Sequence, residues 1–181
     1  MTNQEVVTNE PKPQVNGELR TRTHTWTAGP PLTAYAHLTG EEILREIVAG
    51  RIQPSICSTL GFHLTEAKPG FAVFEGEPGD HLYNPMNTVH GGFLATLLDS
   101  ALGCAVLSRL PAGLGYTTTQ LNVHMVRPVF ADTGLLRCEG EVVHLGRTMA
   151  TAEARVIGAE NGKLYAHATT TCAILGGRST D

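Results

Sequence analysis

The stretch GGFLATLLDSALGCAVLS, Gly91 to Ser108, decides the fold of this chain. It is apolar on nearly every side, and Asp99 is its one charge. A helix that is apolar all round has to be covered by other structure. At 18 residues it reaches the minimum length for a membrane span. Its central aspartate would cost about 2.5–3.5 kcal/mol in a bilayer. Strand-like segments, not further spans, surround it. The stretch therefore reads as a helix at the centre of a soluble core, running from about His90 to Leu110, where Pro111 and Gly113 close it.

The flanks say what covers it. Upstream, Thr39 caps a short amphipathic helix with Glu41 and Glu42 in its first turn and Gly50 after its end. Thr59 to Ala67 alternates as a strand, with Leu60, Phe62 and Leu64 on one face. Lys68-Pro69-Gly70 turns the chain into a second strand, Phe71 to Glu77, and a loop from Pro78 to Val89 leads to the apolar helix. Downstream lie strands at Tyr116–Met125, Leu135–Leu145, Thr148–Ile157 and Lys163–Leu175, the last two joined by an Asn161-Gly162 hairpin turn. An antiparallel sheet curled round one long helix satisfies this order. What the sheet leaves open, a second subunit can cover. Residues 1–38 are polar and aperiodic and read as a flexible or loosely docked arm, 39–176 as the domain and 177–181 as a tail.

Bulk properties exclude several partners. The chain has 181 residues, 41% hydrophobic and 17% charged, with a formal net charge of -4. That fits one ordinary globular domain. It gives nucleic acid no basic face. Cys57, Cys104, Cys138 and Cys172 form no CxxC pair, which speaks against a zinc or redox motif. They read as small buried groups in a reducing compartment, so a cytoplasmic location is expected. The first fifteen residues hold no apolar run and so resemble no signal peptide. No histidine spacing suggests a metal site, and no Walker or GxGxxG motif suggests a nucleotide cofactor.

The chemistry sits at the start of the apolar helix. Gly91 and Gly92 open it, where first-turn N–H groups lack partners and the helix end carries partial positive charge. A carbonyl oxygen can be polarised there; alternatively, the glycines serve only close packing. Asp99 is a carboxylate on a helix built for burial, which is costly unless the group is held or used. It is either a satisfied structural residue or a general base or nucleophile. His90 and Asp99 are nine residues apart, which puts them on opposite helix faces and roughly 13 Å apart along the axis. If both act on one carbonyl, the site is shared by two chains about a two-fold axis.

The run Asn84…His90-Gly91-Gly92…Asp99, followed by Thr118-Thr-Gln-Leu-Asn-Val-His-Met-Val-Arg-Pro128, resembles the hotdog-fold thioesterases, closest to the phenylacetate-pathway branch of the hydroxybenzoyl-CoA thioesterase superfamily. The likeness covers about residues 40 to 175. It implies an α+β hotdog fold, a curved antiparallel sheet wrapped around a long central apolar helix. It also implies hydrolysis of an acyl-CoA thioester by a homodimer, with dimers pairing into tetramers, and no cofactor beyond the CoA of the substrate. By position, the Gly91 N–H would polarise the carbonyl, with Gly92 beside it and Asn84 and His90 shaping the site. Asp99 of the second chain would activate water or attack directly. Thr118 would hold the water or the carboxylate, with Thr117 and Thr119 adjacent. Arg127 and Arg147 would hold the CoA phosphates, with Arg109 a third cation. One position departs from the family pattern: Asn87 stands where a glycine is usual. Asparagine tolerates the left-handed conformation that the loop would need there. Two rivals are a hydroxyacyl-thioester hydratase or dehydratase, which wants a His–carboxylate pair, and a non-catalytic acyl-CoA-binding or ligand-sensing protein, which has no use for a buried carboxylate.

Overall fold

A computed structural model describes residues 17–176. Helix α1 spans Gly40–Val48, α2 Ser55–Leu60 and α3 Gly91–Leu107. Strands β1 (Phe62–Lys68), β2 (Phe71–Gly76), β3 (Gly115–Met125), β4 (Leu136–Leu145), β5 (Met149–Gly158) and β6 (Leu164–Leu175) form one antiparallel sheet. The strand order is β1-β2-β4-β5-β6-β3. The step from β2 to β3 therefore carries the chain from near one edge of the sheet to the other, and α3 makes the crossing. This is the hotdog arrangement expected above. None of the described helices is long and apolar enough to cross a membrane.

The sheet wraps α3 because its inner face is made of small residues. Ala150, Ala152 and Ala154 of β5 and Ala166 and Ala168 of β6 are buried against the helix side. Gly140 of β4 lies so close that a Cβ there would stand 2.5 Å from the backbone oxygen of Ala101. Leu97, Leu98 and Leu102 fill the space and are fully buried, each contributing about 1.5–3 kcal/mol over exposure. Charges are confined to the outer face. There Arg137 bonds Glu66, Glu75 and Glu139, and Arg155 bonds Glu139, at 2.8–3.0 Å.

Local signals set most of the ends. Thr39 caps α1 in a full capping box with Glu42. Gly162 turns the β5–β6 hairpin at φ 64. One element differs from the sequence reading. Thr59 and Leu60 are not strand: they end helix α2, and β1 starts at Phe62. Pro54 stands before the first turn, the Thr59 hydroxyl donates to the Ser55 carbonyl at 3.0 Å, and Gly61 ends the helix in the left-handed region. Six residues are too few for a visible helical period. The apolar helix also ends sooner than read, at Leu107, where the Ser108 hydroxyl turns back onto the Ala105 carbonyl at 2.6 Å. Ahead of the domain, Arg20 pairs with Asp80 and Arg22 donates to the Thr59 carbonyl, so residues 20–22 lie against it.

Candidate active site

The first turn of α3 is prepared by its own cap. His90 is the N-cap residue, and its Nδ1 accepts the Gly92 N–H at 2.9 Å. The His90 carbonyl takes the Phe93 N–H at 3.0 Å, and the His90 N–H itself donates to Leu82. Among the described residues the Gly91 N–H has no acceptor. It is thus a free amide at the positive end of a 17-residue helix. With Nδ1 occupied as an acceptor, neutral His90 carries its proton on Nε2.

The preceding loop is tied by Asn84. Its Oδ1 accepts from the Met86 and Thr88 amides at 2.8 and 3.4 Å, and its Nδ2 donates to the Thr88 hydroxyl at 2.9 Å. Asn87 sits at φ 57, the only non-glycine in the left-handed region among the described residues, so asparagine does here what glycine does in the related pattern. A cleft of about 280 Å³ opens beside Gly91, lined by Asn84, Thr88, Met125 and Arg127 among others. Arg127 is exposed; its guanidinium donates to the Leu164 carbonyl at 2.5 Å and stands 6.0 Å from the Tyr165 ring centre.

The carboxylate lies further along. The residues of α3 that the sheet leaves partly uncovered include Gly92, Ala95, Thr96, Asp99, Ser100 and Cys104, which form one stripe at helical spacing. Asp99 is in its middle. Its described partner is Thr118, whose hydroxyl donates to Asp99 Oδ1 at 2.9 Å; no described cation pairs with it. A β-bulge at Thr119, between Thr118 and Gln120, sets this up. Before it Tyr116 and Thr118 face the helix; after it Leu121 and Val123 do. Thr117 and Thr119 face away, and Thr119 spends its hydroxyl on the Thr171 carbonyl. Burial, then Cys57 and Asp99, push the Cys104 thiol up to about 12, and burial, then Cys104 and Asp99, push the Tyr116 phenol well above its ordinary value.

Strand β3 touches α3 at three points, of which the resemblance implied only the middle one, Thr118 on Asp99. Met125 lies on Gly91, where an added Cβ would meet its sulfur at 2.4 Å; Thr118 bonds Asp99; and Tyr116 lies on Gly103, where an added Cβ would meet its hydroxyl at 2.1 Å. The glycines signal a close neighbour but not its identity. Arg147, in the β4–β5 turn, is exposed beside the Thr148–Ile174 backbone bond, so within one chain it stands at the Tyr116 end of β3, opposite Arg127. Arg109 is exposed and lies over Gly70, outside this group. One chain thus brings together Gly91, His90, Asn84 and Arg127 at one end, and Asp99 and Thr118 at the other.

Comparison with known proteins agrees with the fold. Residues 86–165 match a family model described as the thioesterase superfamily. A curated protein of Halobacterium salinarum named as an esterase is 42% identical over 71 residues, 38% of this chain and 45% of that one, so the match spans less than half of that relative. The PaaI protein of E. coli, from the phenylacetic acid degradation operon, superposes with a TM-score of 0.67 at 22% identity, over 78% of this chain and 100% of that one. At that identity it shows the fold. A hypothetical thioesterase of Streptococcus pneumoniae, solved with coenzyme A, has a TM-score of 0.58 and 28% identity over 66% of this chain and 92% of that one.

Proposed function

We propose that this chain, whose residues 86–165 match the thioesterase superfamily model, hydrolyses an acyl-CoA thioester to the free acid and CoA. The observation that carries this reading is Asp99: a half-buried carboxylate without a counter-ion among the described residues, held at one oxygen by Thr118. Its second oxygen is left to take a proton from water. The hydroxide so formed attacks the thioester carbon while the carbonyl oxygen accepts the Gly91 N–H, and the CoA thiolate leaves. Direct attack by Asp99 to give an anhydride, then hydrolysed, uses the same groups. Neither route calls on a metal or a cofactor. The CoA of the Streptococcus pneumoniae relative and Arg127 in the cleft beside Gly91 favour CoA as the carrier.

The two halves act together only across a dimer. Gly91 and Asp99 of one chain are separated by eight residues of helix, about 12 Å along its axis. Strand β3 is an edge strand, with backbone groups free to pair with a second copy. Gly91 lies under Met125 and Asp99 under Thr118. For Asp99 to reach Gly91 of the partner subunit, Thr118 has to lie opposite Met125 of the partner subunit. Antiparallel β3–β3 pairing then sets the two-fold axis close to Leu121 and Asn122. The same register brings Arg127 of the partner subunit level with Tyr116, toward the turn that carries Arg147, so the two cations converge on one CoA.

The test is release of free thiol from a panel of acyl-CoAs. Wild type is expected to turn over at least one member, and Asp99→Ala to lose 10²-fold or more of kcat, as for removal of a general base. Binding of acyl-CoA without thiol release by folded wild type would replace the hydrolase with a binding protein.

A further inference from the structure

We propose that Tyr116 is the residue that sets acyl-chain length, by closing the inner end of the site beyond Asp99. This rests on the thioesterase reading above. Gly103 follows Asp99 by four residues, so it lies on the same helix face, about 6 Å further along the axis. Tyr116 precedes Thr118 by two residues on β3 and shares its inward face. Helix and strand thus present two matched pairs, Thr118 on Asp99 and Tyr116 on Gly103. The second is a very close approach: a Cβ on Gly103 would stand 2.1 Å from the phenol oxygen and 2.7 Å from two ring carbons. Any other residue at 103 would push the ring away.

The hydroxyl and the ring carbons beside it stand directly against the Gly103 backbone, so the ring fills the space between helix and strand beyond Asp99. The polar CoA runs outward, toward the exposed arginines. An apolar acyl group gains by going inward, and the inward groups beyond Asp99 are Tyr116, Gly103 and Cys104. The ring stops the chain there. Short and compact acyl groups fit, and long aliphatic ones do not.

The experiment measures kcat/KM of wild type, Tyr116→Phe, Tyr116→Val and Tyr116→Ala on acetyl-, butyryl-, hexanoyl-, decanoyl-, benzoyl- and phenylacetyl-CoA. Wild type should favour the short and compact esters. Tyr116→Phe keeps the ring and should keep that order. Tyr116→Ala should raise the decanoyl-to-butyryl ratio by about tenfold or more, the scale on which pocket size discriminates alkyl groups. Should Tyr116→Ala not fold, Tyr116→Val should move the ratio the same way by less. A decanoyl preference in wild type overturns the proposal. So does a folded truncation whose profile parallels wild type with KM raised for every ester, since the tyrosine then serves the CoA. If wild type hydrolyses none of the panel while folded, the thioesterase reading fails first and takes this one with it.

Discussion

At the residue scale, the site consists of few groups with distinct tasks. Asp99 carries the charge, and Thr118 supplies one hydrogen bond to it. A bond to a charged group is worth about 1.5–3 kcal/mol, so Thr118→Val should lower kcat by roughly ten- to a hundredfold. Thr118→Ser keeps a hydroxyl and should restore most of it; equal loss in both variants would mean that the threonine serves packing. Gly91→Ala tests the other half. The new Cβ would collide with the Met125 sulfur and methyl at 2.4–2.5 Å, the far end of a flexible side chain. The fold should survive and turnover should fall, because the side chain displaced over the Gly91 amide hinders the carbonyl. Adding Met125→Ala should recover activity in the double variant. Thiol release reads both experiments.

At the element scale, α3 and the capped helices follow rules visible in the chain itself. The capping box at Thr39 is one; Thr39→Ala should cost about 1 kcal/mol of stability, read as a lower denaturation midpoint. Hydrogen bonds from the Thr39 backbone and side chain hold the Glu42 carboxyl below its usual range. A lowered folded pKa stabilises above the unfolded value and is lost as pH falls through the folded one. Thr39→Ala should therefore matter less in acid than at neutral pH. Contacts between elements are harsher. Gly140→Ala drives a Cβ into the backbone of Ala101 and Leu102, which cannot rotate away, and should cost about 3 kcal/mol or more. A variant as stable as wild type would show that the helix can shift off the sheet.

At the scale of the whole molecule, α3 has a partly uncovered stripe and β3 a free edge, and the proposed dimer would cover both. Asn122→Cys, close to the proposed two-fold axis, should form an intermolecular disulfide on mild oxidation, seen as a dimer on non-reducing gels. Failure of Asn122→Cys and Leu121→Cys alike would rule out that register. The outer face of the sheet has a separate role. Burial raises the Glu139 carboxyl, but its bonds to Arg137 and Arg155 outweigh that and hold it low. Its contribution is thus present above the unfolded carboxylate range and fades as pH falls below it.

By itself the sequence determined the buried helix, the caps, most of the strand boundaries and the motif that holds Gly91 and Asp99. These depend on periodicity, on turn residues and on the cost of a carboxylate in an apolar helix, all of which are local. The sequence could not show helix α2, whose six residues carry no period. Only the tertiary structure decided that β3 is an edge strand, that Met125 covers Gly91, that Tyr116 covers Gly103 and that Thr118, not Thr117 or Thr119, reaches Asp99. The reason is physical. Strand order is fixed by pairing between residues far apart in the chain, and a single bulge at Thr119 reverses which side chains point inward.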